Sequence, residues 1–386
     1  MAQPAEEPQV LHLDEQRGWR GGEQQMLYLA KGLRARAVRT AALVQPGCAA
    51  AERVRASGVD VLRTRMAGEV DLPAAWHIAR LARSSGFNIL HSHTAHTHML
   101  ALLAARMNGG RCKVVSHRRI EYPVGRAFLG LGRVKYLFGV DAYVAISNRV
   151  KETLLEAGVP EWRVFVVRSA TDPERFLHVR PRAGLRASLG VPDDAFVVGN
   201  IAALVGHKDH RTLLEACRVV RDNMPQTWVV IVGDGPLREE VRAKARSMHM
   251  DDRLVMTGFR DDVPELIRAF DVFALSSSEE GLCSTLLEVA ASGCPIVATD
   301  AGGVREAVLP DRTGVIVPTR SPRALAQGVL QLAAHPQQAR QMAARGRERV
   351  RTHFNTDVLA ERTLEVYRRV LAGRVGPQWE AGLCED

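Results

Sequence analysis

Nothing in the sequence pairs its six cysteines. Cys48, Cys112, Cys217, Cys283, Cys294 and Cys384 are scattered without a C-x-x-C spacing, which argues against a disulfide frame or a zinc site and for reduced, mostly buried thiols. No apolar run approaches the roughly 18 residues that a membrane span needs. The longest candidates, around 228–232 and 286–297, are broken by polar residues or Gly. Residues 1–15 are acidic and lack a basic segment followed by an apolar one, so no secretory signal is expected and a cytoplasmic protein is the simplest reading. Lysine is scarce, with 6 Lys against 46 Arg, and aromatic residues make up only 5%. With 46% apolar and 25% charged residues, the composition still excludes a disordered tail, a collagenous repeat and a disulfide miniature. There is no helix-turn-helix, zinc-finger or RNP-like signature, so nucleic acid is not an expected partner. No repeat of 20–50 residues appears.

What is present is 386 residues, enough for two cores of ordinary size. The net charge of +9 lies in the first half. Residues 1–178 hold 25 Lys and Arg against 16 Asp and Glu, whereas 179–386 hold 27 against 27. The stretch 106–139 is the most basic, with Arg106, Arg111, Lys113, Arg118, Arg119, Arg126, Arg133 and Lys135 against Glu121, interleaved with Tyr122, Phe128, Leu129, Tyr136 and Phe138. That pattern suits an anionic surface or substrate, and equally a solvated Arg-rich face.

Short apolar runs alternate with helical spacings of three and four. Strands are expected at 10–13, 40–44, 59–62, 88–91, 113–116, 142–146 and 164–167, with helices at 24–33, 73–84, 97–107 and 149–157. The rhythm restarts beyond a linker at 176–194. Strands follow at 196–203, 228–232, 254–257, 272–274 and 296–298, and helices at 210–223, 236–248, 263–269 and 286–292. Strand and helix alternating twice predict two doubly wound α/β domains, with ligands at the carboxyl ends of the strands and a cleft where the domains face each other.

The strongest constellation runs from Ser278 to Glu288. Glu280 precedes a helix and Glu288 lies inside it, and the backbone N–H groups between them are suited to a phosphate or to sugar hydroxyls. Taken alone, Thr285 and Glu288 read equally well as a capping box, with Glu280 an exposed loop acid. His91, His93, His96 and His98 suggest a metal cluster by spacing, but alternation along a strand and into the next turn sends them in different directions, so no metal is expected.

Glu280 and Glu288 followed by Gly293, Pro295, Asp300, Gly302 and Gly303 resemble the donor-site signature of retaining GT-B glycosyltransferases of family GT4. Further pieces fall in the family's order: Gly21-Gly22 after the first strand, His91-Ser-His93 after the fourth, Ala145-Ile-Ser147, Gly158-Val-Pro160, 172–176, Lys208 before a helix, 232–236 and 257–259. The resemblance covers nearly the whole chain. It implies two Rossmann-like parallel-sheet domains: 1–178 for the acceptor, 179–355 for the nucleotide sugar, and 356–386 as a C-terminal helix returning to the first domain.

Carried over by position, the resemblance implies that Glu288 holds the ribose hydroxyls and that Glu280 bonds the donor sugar near its reacting face. Both jobs suit an acceptor-only carboxylate. Backbone amides of Gly281, Leu282, Cys283, Ser284 and Thr285 would meet the sugar and the diphosphate, Gly258 and Arg260 would line the base pocket, and Lys208 would face the diphosphate. Gly21 and Gly22 would let backbone approach the diphosphate and acceptor. His93 is the expected cleft histidine, bonding the donor sugar or the acceptor; from its place after a strand, His117 with Arg118 and Arg119 reads equally as a site for an anionic acceptor or as loop only. The family's usual Arg five residues ahead of Lys208 is here Ala203, leaving His207, Arg20 or another group to supply that charge. The implied activity is metal-independent, retaining hexosyl transfer without a cofactor, from a nucleoside diphosphate sugar to a saccharide or lipid-linked envelope acceptor. The N-terminal domain would touch an anionic membrane at its inner face. A nucleotide-sugar epimerase and a non-catalytic nucleotide-sugar-binding protein are the alternatives.

Overall fold

A computed structural model describes residues 6–119, 135–177 and 184–378. The chain forms two compact units, residues 1–170 with 356–386 and residues 171–355. The first carries strands β1 (Gln9–Asp14), β2 (Arg39–Val44), β3 (Asp60–Arg63), β4 (Ile89–Ser92), β5 (Lys113–Arg118), β6 (Ala142–Ala145) and β7 (Val164–Val166). They form one sheet in the order β3-β2-β1-β4-β5-β6-β7, with every pair parallel. The second carries β8 (Phe196–Ile201), β9 (Thr227–Val232), β10 (Leu254–Gly258), β11 (Val272–Leu275), β12 (Ile296–Thr299) and β13 (Val315–Val317). Its order is β10-β9-β8-β11-β12-β13, again parallel throughout.

Parallel sheets are covered by helices on both faces, which is why these strands read as near-continuous apolar runs. Val197, Val198, Val229, Val230 and Ile231 are fully buried. In each sheet the strand order reverses at one place. β1 lies between β2 and β4, and β8 between β9 and β11, so the loops after β1 and β4, and those after β8 and β11, flank a ligand crevice of each unit.

The expected strands lie within a residue or two of the observed ones. β13 and the helices Ala49–Ala56, Pro322–Ala334 and Pro336–His353 are additions. β13 has three residues, and these helices are rich in Ala, Arg and Gln, so their apolar stripe is weak in sequence. The change of unit comes at 170/171, because the Thr171 amide donates to the Phe354 carbonyl at 2.8 Å inside the second unit. The helix Thr356–Leu371 joins the first unit, where Leu359, Leu364, Val366 and Tyr367 pack with Tyr28, Leu29 and Leu33. Gly32 permits this crossing, since a Cβ there would come within 2.5 Å of the Ala360 Cβ.

Candidate functional site

In the second unit, the loops after β8 and β11 are stitched together before any side chain reaches the crevice. The Ser278 amide donates to the His207 carbonyl at 2.8 Å, and Ser276 Oγ donates to the Lys208 carbonyl at 2.8 Å. Asp209 then opens the helix His210–Asn223 from the left-handed region (φ 45°), its carboxylate accepting from the Thr212 amide at 3.1 Å. This capped turn fixes where Lys208 points. Its Nζ donates to Glu280 Oε1 at 2.6 Å, and the same oxygen accepts from Ser277 Oγ at 2.7 Å. Thr299 Oγ1 donates to the Ser277 carbonyl at 2.6 Å, and the Glu280 carbonyl accepts from the Gly303 amide at 3.1 Å. Glu280 is therefore a buried carboxylate held at both backbone and side chain, not an exposed loop acid.

The helix Ser284–Ser292 starts from Cys283, which sits at φ 64° and gives no side-chain cap. Thr285 lies inside the helix, so the capping-box reading of Thr285 and Glu288 does not hold. This is the end of the helix where the dipole favours negative charge. Leu282 is fully buried and anchors the loop, and Gly281, Cys283, Ser284 and Thr285 are half-buried. Burial, with Glu280 next, pushes the Cys283 thiol up to about 12, leaving it inert as a nucleophile. Glu288, half-buried, takes Arg175 Nη1 at 3.3 Å on Oε1. Burial raises its pKa and Arg175 opposes that shift.

Gly258 ends β10 at φ 75°, a conformation that L side chains rarely adopt, and its carbonyl accepts from the Gly233 amide at 2.9 Å. Arg260 is exposed and forked onto Asp262, with Nε to Oδ1 at 2.7 Å, so its guanidinium is engaged by its own loop. Ala203 is exposed. Burial and, secondarily, Lys208 lower the His207 pKa from 6.5.

In the first unit, Gly21 and Gly22 open the helix Gly21–Ala35 three residues earlier than expected. A Cβ on Gly22 would find only Arg119 Nη1, at an ordinary 3.7 Å, so the first unit itself does not demand a glycine there. Arg119 Nη2 donates to His93 Nδ1 at 2.8 Å, and His93 Nε2 meets His12 Nδ1 at 2.9 Å. Because a guanidinium only donates, neutral His93 carries its proton on Nε2 and passes that hydrogen bond to His12. Both His93 nitrogens are thus engaged within the unit. His91 Nδ1 pairs with Tyr367 Oη at 2.5 Å, and its ring stacks on His117 at 5.4 Å between centroids.

His91 and His93 converge with His12, not with His96 and His98, and the three offer nitrogens within 4.8 Å of one another. That triad has the composition of a metal site, but the arrangement does not fit one. A His93 Nε2 bearing a proton cannot ligate, and Arg119 places a cation beside it. Burial keeps all four imidazoles neutral: His12 is pushed down to about 3, and His91, His93 and His117 well below 6.5. Beside them Asp14 is raised to about 7 by burial and by Glu23. Asp14, Glu23 and His12 carried no signal as site residues in the sequence, because each reads as part of a strand or helix interior.

The basic stretch 106–139 is not a uniform cationic face. Arg118 is buried, with Nη1 donating to Tyr136 Oη at 3.2 Å, and Arg119 lies on His93, so neither meets an anionic surface. Lys113 pairs with Asp141 and Lys135 with Glu69. Arg126 and Arg133, like Cys384, lie outside the described residues. The five described cysteines are free thiols. Among the described residues no helix is long and apolar enough to cross a membrane.

The sequence matches the profile "Glycosyl transferases group 1" over residues 182–349 and "Glycosyltransferase Family 4" over residues 19–175. It is 26% identical over 265 residues to the UDP-Gal:alpha-D-GlcNAc-diphosphoundecaprenol alpha-1,3-galactosyltransferase of Escherichia coli, covering 65% of this chain and 68% of that one. It is 28% identical over 327 residues to the GDP-mannose-dependent alpha-(1-6)-phosphatidylinositol monomannoside mannosyltransferase of Mycobacterium tuberculosis, covering 80% of this chain and 79% of that one. Among solved structures it resembles Anabaena HepE in complex with UDP and glucose, with a TM-score of 0.83 at 20% identity over 93% of this chain and 99% of that chain. This last likeness shows the GT-B fold.

Proposed function

This chain belongs to the group 1 glycosyltransferases of family 4, and from that premise we propose that it moves a hexose from a nucleoside diphosphate sugar to a lipid-linked or envelope saccharide, with retention and without a metal. The observation that carries the donor-site reading is the pairing of Lys208 with Glu280 from the two loops at the strand-order reversal, beside the start of the helix Ser284–Ser292. Donor phosphates compete with Glu280 for the Lys208 ammonium, which is already placed in the crevice. The amides of Gly281 to Thr285 take the remaining phosphate and sugar oxygens. Glu280, released from Lys208, accepts from the sugar hydroxyls, and Glu288 accepts from the ribose. Gly258 contributes backbone to the base pocket, where Arg260 is held aside by Asp262.

In this reading no carboxylate becomes covalently attached to the sugar. The acceptor hydroxyl attacks on the face from which the phosphate leaves, and a phosphate oxygen takes its proton. The charge developing on the leaving diphosphate is met by Lys208 and the helix amides, a term worth about 3–4 kcal/mol per well-placed donor in comparable sites. The acceptor class rests on relatives: the E. coli enzyme is named for a diphosphoundecaprenol acceptor, and a Rhizobium meliloti relative for lipopolysaccharide core biosynthesis. The relatives, transferases by name, give no support to the epimerase alternative.

For membrane contact, the supporting feature differs from the stretch expected from sequence. On the helix Leu72–Ser85, Leu72, Trp76 and Arg80 form one exposed row at four-residue spacing, with the Arg80 guanidinium 5.6 Å from the Trp76 ring. The helix contains no acidic residue. An amphipathic Trp with neighbouring Arg suits an anionic bilayer surface.

A screen of nucleotide sugars for binding and slow hydrolysis, followed by NMR of the product anomer, tests the proposal. An inverted anomer would refute retention, and failure of every nucleotide sugar to bind would refute the donor site.

A further inference from the structure

Glu288 is not left alone to meet a ligand. The second unit begins with Thr171, tied to Phe354, and a single turn, Pro173–Phe176, whose cap Asp172 accepts from the Glu174 amide at 3.2 Å. Phe176 is buried and the Arg175 guanidinium stands 5.9 Å from its ring. The turn packs on the helix Ser284–Ser292, bringing Arg175 Nη1 to Glu288 Oε1 at 3.3 Å across 113 positions of sequence. The sequence marks 172–176 as part of the family's motif order without giving it a task.

We propose that Arg175 is a positioning residue of the donor site: by engaging Oε1 it holds the Glu288 side chain in place and ionised, and leaves Oε2 for the ribose hydroxyls. This rests on the donor-site reading above. The chemistry requires it because only the ionised carboxylate is an acceptor at both oxygens; a protonated one turns a hydroxyl donor toward the ligand. Burial works against ionisation at this position. The elements packed on the helix are Pro173–Phe176 with Glu174 and Arg175, Val263–Ile267 with Glu265, the uncharged β12, and Pro336–His353, whose Arg347 Nη2 is committed to the Ser292 carbonyl at 2.7 Å. Among these, Arg175 is the charge that acts on Glu288, and it acts in favour of the carboxylate.

The test measures donor KM and kcat from pH 6 to 9 for the wild-type chain, Arg175→Gln, Arg175→Lys and Glu288→Gln, with melting temperature as a check of fold. Arg175→Gln is expected to raise donor KM about tenfold, with a larger defect at the acid end of the range than at the alkaline end, and to leave kcat within about twofold. Arg175→Lys restores most of the KM. A donor KM for Arg175→Gln within about twofold of wild type at every pH, alongside a raised KM for Glu288→Gln, overturns the positioning role. A normal donor KM for Glu288→Gln overturns the donor-site reading itself, and this inference with it.

Discussion

Lys208 Nζ and Glu280 Oε1 stand 2.6 Å apart although 72 positions of sequence separate them. Their side chains are 18% and 7% exposed, so this is a largely desolvated pair whose partners cannot be removed singly without consequence. The pair belongs to the two loops at the strand-order reversal, where β8 and β11 end side by side. In the proposed donor site the Lys208 side chain is therefore already placed beside the crevice before a ligand arrives.

Lys208→Ala is expected to lower kcat by about 100- to 1,000-fold, the size seen when one preorganised donor to a developing anion is lost. Donor affinity should fall less. Steady-state kinetics with calorimetric donor binding will check this, and an unchanged kcat would refute the assigned role.

Transfer is expected to persist in excess EDTA, because the proposed diphosphate contacts are Lys208 and amide N–H groups. Added zinc should not bind the His12, His91 and His93 triad while Arg119 holds His93. Loss of activity in EDTA that manganese or magnesium restores would overturn the metal-independent reading.

Acid should unfold the protein early. His12, held at about 3 when folded against 6.5 ordinarily, takes up a proton only on unfolding between those values. Stability is thus lost as pH falls from 6.5, by up to about 1.4 kcal/mol per pH unit for each such histidine. His91, His93 and His117 act in the same direction. Asp14 acts oppositely: folded near 7 against 3.8 ordinarily, it keeps a proton that the unfolded chain releases, so its contribution falls as pH rises from about 4 to 7. Glu23 and Glu288, also raised by burial, act with Asp14, but His98 and His210, lowered by burial to about 3 and about 4, act with the four imidazoles, so the histidines outnumber the carboxyls below pH 6.5. Urea midpoints at pH 7.5 and 5.5 should drop with acid, and Asp14→Asn should raise the midpoint more at 7.5 than at 5.5. A midpoint independent of pH would contradict the buried neutral histidines.

Replacing Trp76 by Ala together with Arg80 by Gln should reduce sedimentation with vesicles containing anionic phospholipid, while donor affinity stays unchanged. Each basic residue near such a surface contributes on the order of 1 kcal/mol, and the effect decays over about 8 Å at physiological salt. Equal sedimentation of variant and wild type would refute this surface as the membrane contact.

The sequence by itself determined the two doubly wound sheets, because parallel strands covered on both faces leave continuous apolar runs, and short turns between them leave few orders to choose from. It also determined the loop 278–288, where two carboxylates, a glycine and a helix start lie close enough along the chain to be read together. Tertiary structure decided which cation meets which carboxylate. Lys208 with Glu280 and Arg175 with Glu288 are pairs made by packing between distant segments, and no local periodicity encodes them. It likewise turned Arg118 and Arg119 inward onto Tyr136 and His93, where the sequence suggested a basic surface. A strand's alternation says which face a residue takes; what waits on that face is set by its neighbours in the sheet. The gathering of His12, His91, His93 and His117 follows from β1, β4 and β5 lying side by side, an order fixed only when the sheet assembles.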